Sequence, residues 1–459
     1  MRVSALPPGP SEAPAIQTAR WLLRPIAFME SARRRFGDAF SVRFLGFERP
    51  MVMLSDPEAI RALYTTHEHG LPPGRSIALL PVMGPGSVLL LEGQEHLARR
   101  KLMLPPFHGE RMRSYEATVR EVTERELDSW SDGSTFAIHP RMQAITLDVI
   151  LKAVFGVTDP ARDARLHERL PLLLGDTSSP ALQFRVLLSR RLGRGDPLAN
   201  LRELLAEIDE LLLAEIAERR ADLAAADPAA AEREDILSLL VAARFEDGTE
   251  MSDREVRDQL VTLLLAGHET TATALAWTFD LLLRNPATLT RLTAEVDAGE
   301  DTYLRAVISE SLRLRPVVPL AGRRLASDLN VDGLSLPAGT DVTPAIWLTH
   351  TRADLYPEPY AFRPERFLEG EGGHPINKYG WIPFGGGIRR CLGAAFAEME
   401  MRVVLETILQ RRALSPVSSR AERVTRRNIT FSPRNGTLLR SERRGIPTPA
   451  AEPDLVLVA

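Results

Sequence analysis

Residues 252–286 constrain the fold of this chain more than any other stretch. Ser252-Asp253-Arg254-Glu255 is a capping box, in which the Ser side chain and the Glu three residues on satisfy free amides. Apolar periodicity then runs to Arg284, and Asn285-Pro286 stops it. The spacing predicts roughly 32 helical residues, about 48 Å at 1.5 Å per residue. A helix so long and apolar has to cross the whole interior, and the other elements must pack around it. Its middle reads Ala266-Gly267-His268-Glu269-Thr270-Thr271. Small residues there give something flat and bulky room at the backbone, and a buried Glu is costly unless it is paired or functional. A zinc site of the His-Glu-x-x-His kind lacks its second ligand, because residue 272 is alanine. Close packing on a neighbour, with Thr bonded back to a carbonyl, is the other reading, and the helix alone leaves both open.

The 459 residues are 44% hydrophobic, enough for a large core. Length alone gives two or three domains, but no internal repeat or long linker divides the chain, so one domain over 1–459 is expected. A net charge of −4 and a pI of about 6.2 provide no global basic field for nucleic acid. A single cysteine, Cys391, excludes an internal disulfide and any need for an oxidising compartment. Only three of the 57 basic residues are lysines, a bias that fits a GC-rich bacterial genome. The apolar stretch 21–29 is broken by Arg24-Pro25 and falls well short of the roughly 18 residues of a spanning helix. Leu6-Pro7-Pro8-Gly9-Pro10 is not a basic-then-apolar leader. A soluble, cytoplasmic protein with no membrane anchor is expected.

Around the long helix the pattern is mainly α with small β-sheets. Residues 39–44 and 50–54 alternate as a strand pair, and Asp56-Pro57-Glu58 starts a helix. Residues 70–93 form an irregular Pro-, Gly- and Leu-rich loop. Helical periodicity dominates from Gln94 to about Arg315, with 221–231 as a surface connection. A second helix, about 301–314, ends before Pro316. Strand signals follow at 328–336, around Asp332-Gly333, and at 337–343. Residues 428–440 contain Asn435-Gly436, the strongest short hairpin signal. Residues 1–15 and 445–459 are expected as flexible tails.

The chemistry centres on Phe384-Gly385-Gly386-Gly387-Ile388-Arg389-Arg390-Cys391-Leu392-Gly393, a glycine-rich loop that ends in the lone thiol directly before a helix-like run, 394–410. Loop amides and a helix N-terminus favour negative charge, so a lowered thiol pKa and a thiolate are expected. Such a group is a nucleophile or an axial metal ligand. Three further motifs are weak in isolation. Glu310 and Arg313 lie at i, i+3 in the second helix and can pair, which by itself reads as a solvated surface pair. Pro364-Glu365-Arg366-Phe367 is equally unspecific. His96 and Arg100, at i and i+4, suit an anionic partner or make an ordinary basic face.

Together and in this order, these motifs resemble the cytochrome P450 superfamily of haem-thiolate monooxygenases, over nearly the whole chain from about Pro7 to Arg440. The cysteine loop matches that family's Phe-Gly-x-Gly-x-Arg-x-Cys-x-Gly at every defined position. Ala266-Gly267 with Glu269-Thr270 matches its oxygen-activation motif. Glu310 and Arg313 match its Glu-x-x-Arg pair, and Arg366 the arginine that completes that cluster. His96, Arg100 and Arg323 match its haem-propionate contacts.

The resemblance implies a triangular prism with haem b (iron protoporphyrin IX) between the long helix and the cysteine helix. It implies Cys391 as axial iron ligand, with Gly385, Gly393 and the loop amides tuning the sulfur. Phe384 would shield the thiolate side, and Arg389 would join His96, Arg100 and Arg323 on the propionates. Ala266 and Gly267 would leave room for dioxygen, the co-substrate, with Thr270 and Glu269 supplying protons. With no flavin or iron–sulfur segment, electrons from NAD(P)H would arrive through a ferredoxin or flavodoxin with its reductase. Arg99, Lys101, Arg390 and Arg402 are candidates for that docking face. The pocket would draw on 70–93, 170–201, 263–271, 317–320 and the strand region near Ile429 and Phe431. These segments are mostly aliphatic, which fits a fatty acid, terpenoid or steroid-like substrate; Arg75 or Arg185 could anchor a carboxylate. A monomer that hydroxylates or epoxidises it is expected. Desaturation, coupling or C–C cleavage is the alternative outcome, and a haem sensor without turnover is a third reading that the Glu269-Thr270 pair argues against.

Overall fold

The long helix forms as its cap dictates. The computed structural model describes residues 6–47, 49–65, 80–109, 111–157, 159–178, 199–225, 233–331, 333–370, 377–427 and 429–445. In it the Ser252 hydroxyl accepts the Glu255 N–H, and the Glu255 carboxylate accepts the Ser252 N–H at 2.8 Å. The helix runs Asp253–Arg284 and stops where Asn285 leaves helical geometry ahead of Pro286. Helix Ile138–Val149, continued by the π-type turn Ile150–Phe155, packs along it. Helices Ala199–Ala224, Thr302–Leu314 and Ala394–Arg411 pack against it as well. Their apolar faces make the main core, in which Ile145, Leu260, Leu275, Phe279 and Val404 are wholly buried. Burial of such faces, at about 25 cal/mol per Å², is the dominant favourable term holding the helices together. Among the described residues, no helix is long and apolar enough to cross a membrane.

Among the described residues, four small sheets sit around the helices. β1 (Ala39–Val42) and β2 (Met51–Leu54) pair antiparallel, as their alternation indicates. β2 runs parallel to β7 (Asp341–Pro344), whose far edge takes β4 (Arg323–Arg324). β5 (Leu329–Val331) and β6 (Leu334–Leu336) form the hairpin expected around Gly333. β9 (Val424–Arg427) pairs with β10 (Thr430–Pro433). β11 (Leu438–Arg443) lies between β3 (Ser134–Ala137) and β8 (Arg412–Pro416).

Three expectations change. The hairpin joins β9 to β10, between Arg427 and Thr430, and not the strands on either side of Asn435-Gly436. The Asn-Gly turn instead redirects the chain from β10 to a different sheet, because β11 finds its partners in β8, beyond the β9–β10 hairpin, and in β3, far away in sequence. Strand β3 interrupts the helical run and has no local partner to announce it. The expected N-terminal tail is anchored from its sixth residue: the Ser41 N–H donates to the Pro8 carbonyl at 3.1 Å, and the Gln17 amide donates to the carbonyls of Pro10 (3.0 Å) and Glu12 (2.7 Å). Residues 446–459 lie outside the described residues.

Candidate active site

The loop before Cys391 is shaped by its glycines. Gly385 and Gly387 adopt φ of +67° and +63°, the left-handed region that favours glycine. Gly386 is needed for space: a Cβ there would lie 2.4 Å from the Tyr64 ring. The loop is thus pressed against the end of helix Pro57–Thr65. The Cys391 N–H closes the loop on the Phe384 carbonyl at 2.9 Å, and helix Ala394–Arg411 starts just beyond Gly393. The thiol is surface-accessible, yet protein crowds it enough that burial is the first cause of its pKa shift. Both hold for a side chain that opens onto an internal space.

Burial pushes the Cys391 thiol up, and the Gly393 N–H, Arg100 and Arg390 pull it down only in part. The expected thiolate is therefore corrected: in the polypeptide alone desolvation outweighs the loop amides and the helix end. A metal ion bound to the sulfur would reverse that balance, since a coordinating thiol loses its proton outright.

Beside the loop, four basic groups crowd together. His96 is buried and its imidazole falls to about 4, first through burial and then through Arg389, Arg100 and Arg323. Arg389 falls to about 10 through burial and through Arg323 and Arg100, with Glu92 the one carboxylate opposing the shift. Arg389 donates to the Leu91 carbonyl at 2.5 Å, while its Nε and the Nδ1 of His96 are buried without partners. Arg323 donates to the Gly322 carbonyl at 2.8 Å, and the Arg100 guanidinium makes no hydrogen bond or ion pair among the described residues. Tyr64 borders the same cluster: its hydroxyl is buried without a partner, and burial raises it to about 12 against the pull of Arg323. So much desolvated positive charge with so little counter-charge requires an anion.

The long helix shows its open face at the same four-residue rhythm that buries the rest. Leu263, Gly267 and Thr270 are part-exposed and Ala266 is exposed, at i, i+4, i+7 and i+3, within a helix otherwise mostly buried. Among the described residues and apart from its own helix, only the Ile150 Cδ1 lies within 4 Å of where a Gly267 Cβ would stand, at 3.4 Å. The Thr270 hydroxyl donates back to the Ala266 carbonyl at 2.6 Å. Glu269 points elsewhere, accepting from the Gln143 amide at 2.7 Å and from Thr273 at 3.4 Å. Burial raises its carboxyl pKa, opposed by Arg427, Gln143 and Thr273.

Glu310 and Arg313 are fully buried, so the surface reading of that pair is overturned. Arg313 donates to both Glu310 oxygens (2.6 and 2.8 Å) and to the carbonyls of His350, Pro359 and Ala361. Arg366 Nε lies 3.4 Å from Glu310, which also accepts the Arg363 N–H at 2.9 Å. His350 links this cluster to the loop: its Nε2 accepts the Ile382 N–H at 2.8 Å, so Nδ1 carries the proton and donates to the Arg313 carbonyl at 3.1 Å. Burial and Arg313 hold that imidazole neutral, down to about 3.

Sequence reasoning missed Tyr64 and His350, whose roles depend on contacts with segments far along the chain. The expected docking arginines are also corrected. Arg99 is buried and paired with Glu255, and Arg402 is held by Glu116, Asp301 and Glu406. Lys101, 71% exposed in a surface pair with Glu246, and Arg390, exposed beside Cys391, stay available on that side. Arg75 and Arg185 lie outside the described residues, as do large parts of the expected pocket segments 70–93 and 170–201.

The sequence model of the family Cytochrome P450 matches residues 7–440. A Mycobacterium tuberculosis protein named "Putative cytochrome P450 135B1" is 41% identical over 444 residues, covering 95% of this chain and 91% of the relative. "Putative cytochrome P450 137" of the same organism is 40% identical over 408 residues, 89% of this chain and 83% of the relative. Among solved structures, a retinoic acid-bound cyanobacterial CYP120A1 superposes with a TM-score of 0.81 at 25% identity, covering 96% of this chain and 99% of that one. A cytochrome P450DA heme domain superposes at 0.80 with 24% identity, covering 97% and 99%, and shows the shared fold. The chain belongs to the cytochrome P450 family. Its fold is that of the family, and haem-thiolate monooxygenase chemistry is the general activity that follows.

Proposed function

We propose that the chain binds haem b through Cys391 and inserts one oxygen atom of dioxygen into a lipophilic substrate, with electrons from a separate ferredoxin or flavodoxin system. The observation that carries this reading is the desolvated cluster of His96, Arg100, Arg323 and Arg389 beside an accessible lone thiol. Two carboxylates on one edge of a flat macrocycle answer that cluster, and the thiol answers the metal at its centre. When bound, the haem supplies the iron at which dioxygen is reduced and the substrate oxidised.

The chain's own residues do the rest. Cys391 donates electron density, and the Gly393 N–H moderates it. His96 and the three arginines hold the carboxylates, and the Tyr64 hydroxyl is placed to add a donor. Ala266 and Gly267 keep the facing backbone open. Thr270 holds a hydroxyl proton at the open face, and Glu269, one residue earlier, stores a proton away from it. The apolar character of Leu263, Ala266, Val317 and Ile429 supports a lipophilic substrate. Arg390 supports an acidic electron donor on the cysteine side. Cys391→Ser tests the assignment: the variant loses the red-shifted Soret band of the ferrous carbon monoxide complex. Retention of that band removes Cys391 from the iron.

A further inference from the structure

The polar groups behind Glu269 form a chain with one direction. Arg427, on β9 and 44% exposed, places Nη1 3.4 Å from Nδ1 of buried His139. An arginine only donates, so Nδ1 is the acceptor and the ring proton sits on Nε2. That nitrogen lies 3.1 Å from the Thr273 hydroxyl, which in turn donates to Glu269 Oε1 at 3.4 Å. These donors converge on the Glu269 carboxylate, whose Oε1 also lies 3.8 Å from His139 Nε2 and 3.8 Å from Arg427 Nη1. Ser432 lies 3.4 Å from Thr273 and 3.2 Å from Thr430, and the Gln143 amide holds the second Glu269 oxygen.

We propose that His139 and Thr273 are the outer limb of proton supply to Glu269, loaded from solvent at the Arg427 rim. The inference rests on the reading of Glu269 and Thr270 as the proton-supplying pair. In the transfer, solvent gives a proton to His139 Nδ1 as Arg427 swings aside. The Nε2 proton passes to Thr273, and the Thr273 proton passes to Glu269. One proton enters at Nδ1, one arrives at Glu269, no electrons move, and the ring is left as its Nδ1–H tautomer. Burial and Arg427, with His268 on the long helix, keep the imidazole neutral, so a concerted passage through the neutral ring is favoured over a stored imidazolium. His139 and Thr273 are positioning residues here, since neither faces the open side of the long helix.

The test uses the haem-loaded protein and the variants His139→Gln and Thr273→Val. Glutamine keeps an acceptor for Arg427 and a donor for Thr273 but cannot exchange tautomers as imidazole does. A merely structural role is therefore rescued by glutamine, and a carrying role is not. Infrared spectroscopy follows the Glu269 carboxyl band, identified by its loss in Glu269→Gln, as the protein is moved from H2O to D2O at a pH where the group is protonated. Both variants are expected to slow exchange at this carboxyl by on the order of tenfold or more, and to lower product formed per reductant consumed. Exchange at the native rate in His139→Gln, or in Thr273→Val should the first variant not fold, overturns the limb. If Glu269→Gln leaves coupling at the native level while exchange slows in the two variants, the reading of Glu269 fails and the route to it stands.

Discussion

Two arginine-rich clusters flank the cysteine loop, and they are built on opposite principles. Around Glu310 every charge has an answer: Arg313 meets two carboxylate oxygens and three carbonyls, and His350 carries the network to Ile382. Around His96 the groups repel one another and leave buried nitrogens bare. Both clusters are desolvated, so burial does not separate a structural charge from a functional one. What separates them is whether the protein itself completes the set of partners. A self-satisfied cluster holds the fold, whereas an unsatisfied one holds a place for something else.

Breaking the first cluster has the largest expected effect. Arg313→Leu leaves buried Glu310 with only Arg366 and the Arg363 N–H as partners, at about 3–5 kcal/mol of stability, measured by urea unfolding of the haem-free chain. Arg100→Leu tests the second cluster and is expected to leave the stability of the haem-free chain near or above the native value. Haem affinity is expected to fall by about 1.5–3 kcal/mol, roughly ten- to a hundredfold, read by spectroscopic titration. A loss of haem-free stability comparable to Arg313→Leu would erase the contrast. The smallest effect is a pH dependence. His96 titrates near 4 in the folded chain against 6.5 as a free side chain. As pH falls from 6.5 to 4, the unfolded chain takes up a proton that the folded chain refuses, and stability drops. His96→Gln removes that contribution, so urea midpoints at pH 7 and pH 5 lie closer together in the variant. Bound carboxylates favour the charged ring, so haem loading also narrows the gap in the native protein.

Local chemistry made much of this legible. The capping box and Asn285-Pro286 bounded the long helix, and Pro25 split the N-terminal apolar stretch into helices Pro14–Leu23 and Pro25–Phe36. The glycines of the cysteine loop stood out because their backbone angles and close approach exclude other residues. What escaped depends on pairing between distant segments. β3 exists because β11 reaches back to it from the far end of the chain. Tyr64 matters because the loop at 385–387 rests on it. The sign of the thiol's shift is not legible in a sequence, which displays the amides near the sulfur and not the protein that crowds it.

The fit of Tyr64 beneath Gly386 couples two positions more than 300 residues apart, an order-of-magnitude separation that no local pattern would connect. Drift at one is confined by the other. A relative with a larger residue under position 386 of the loop can carry it only where the aromatic ring at 64 has given way to something slighter, so the two sites should change in concert or remain fixed.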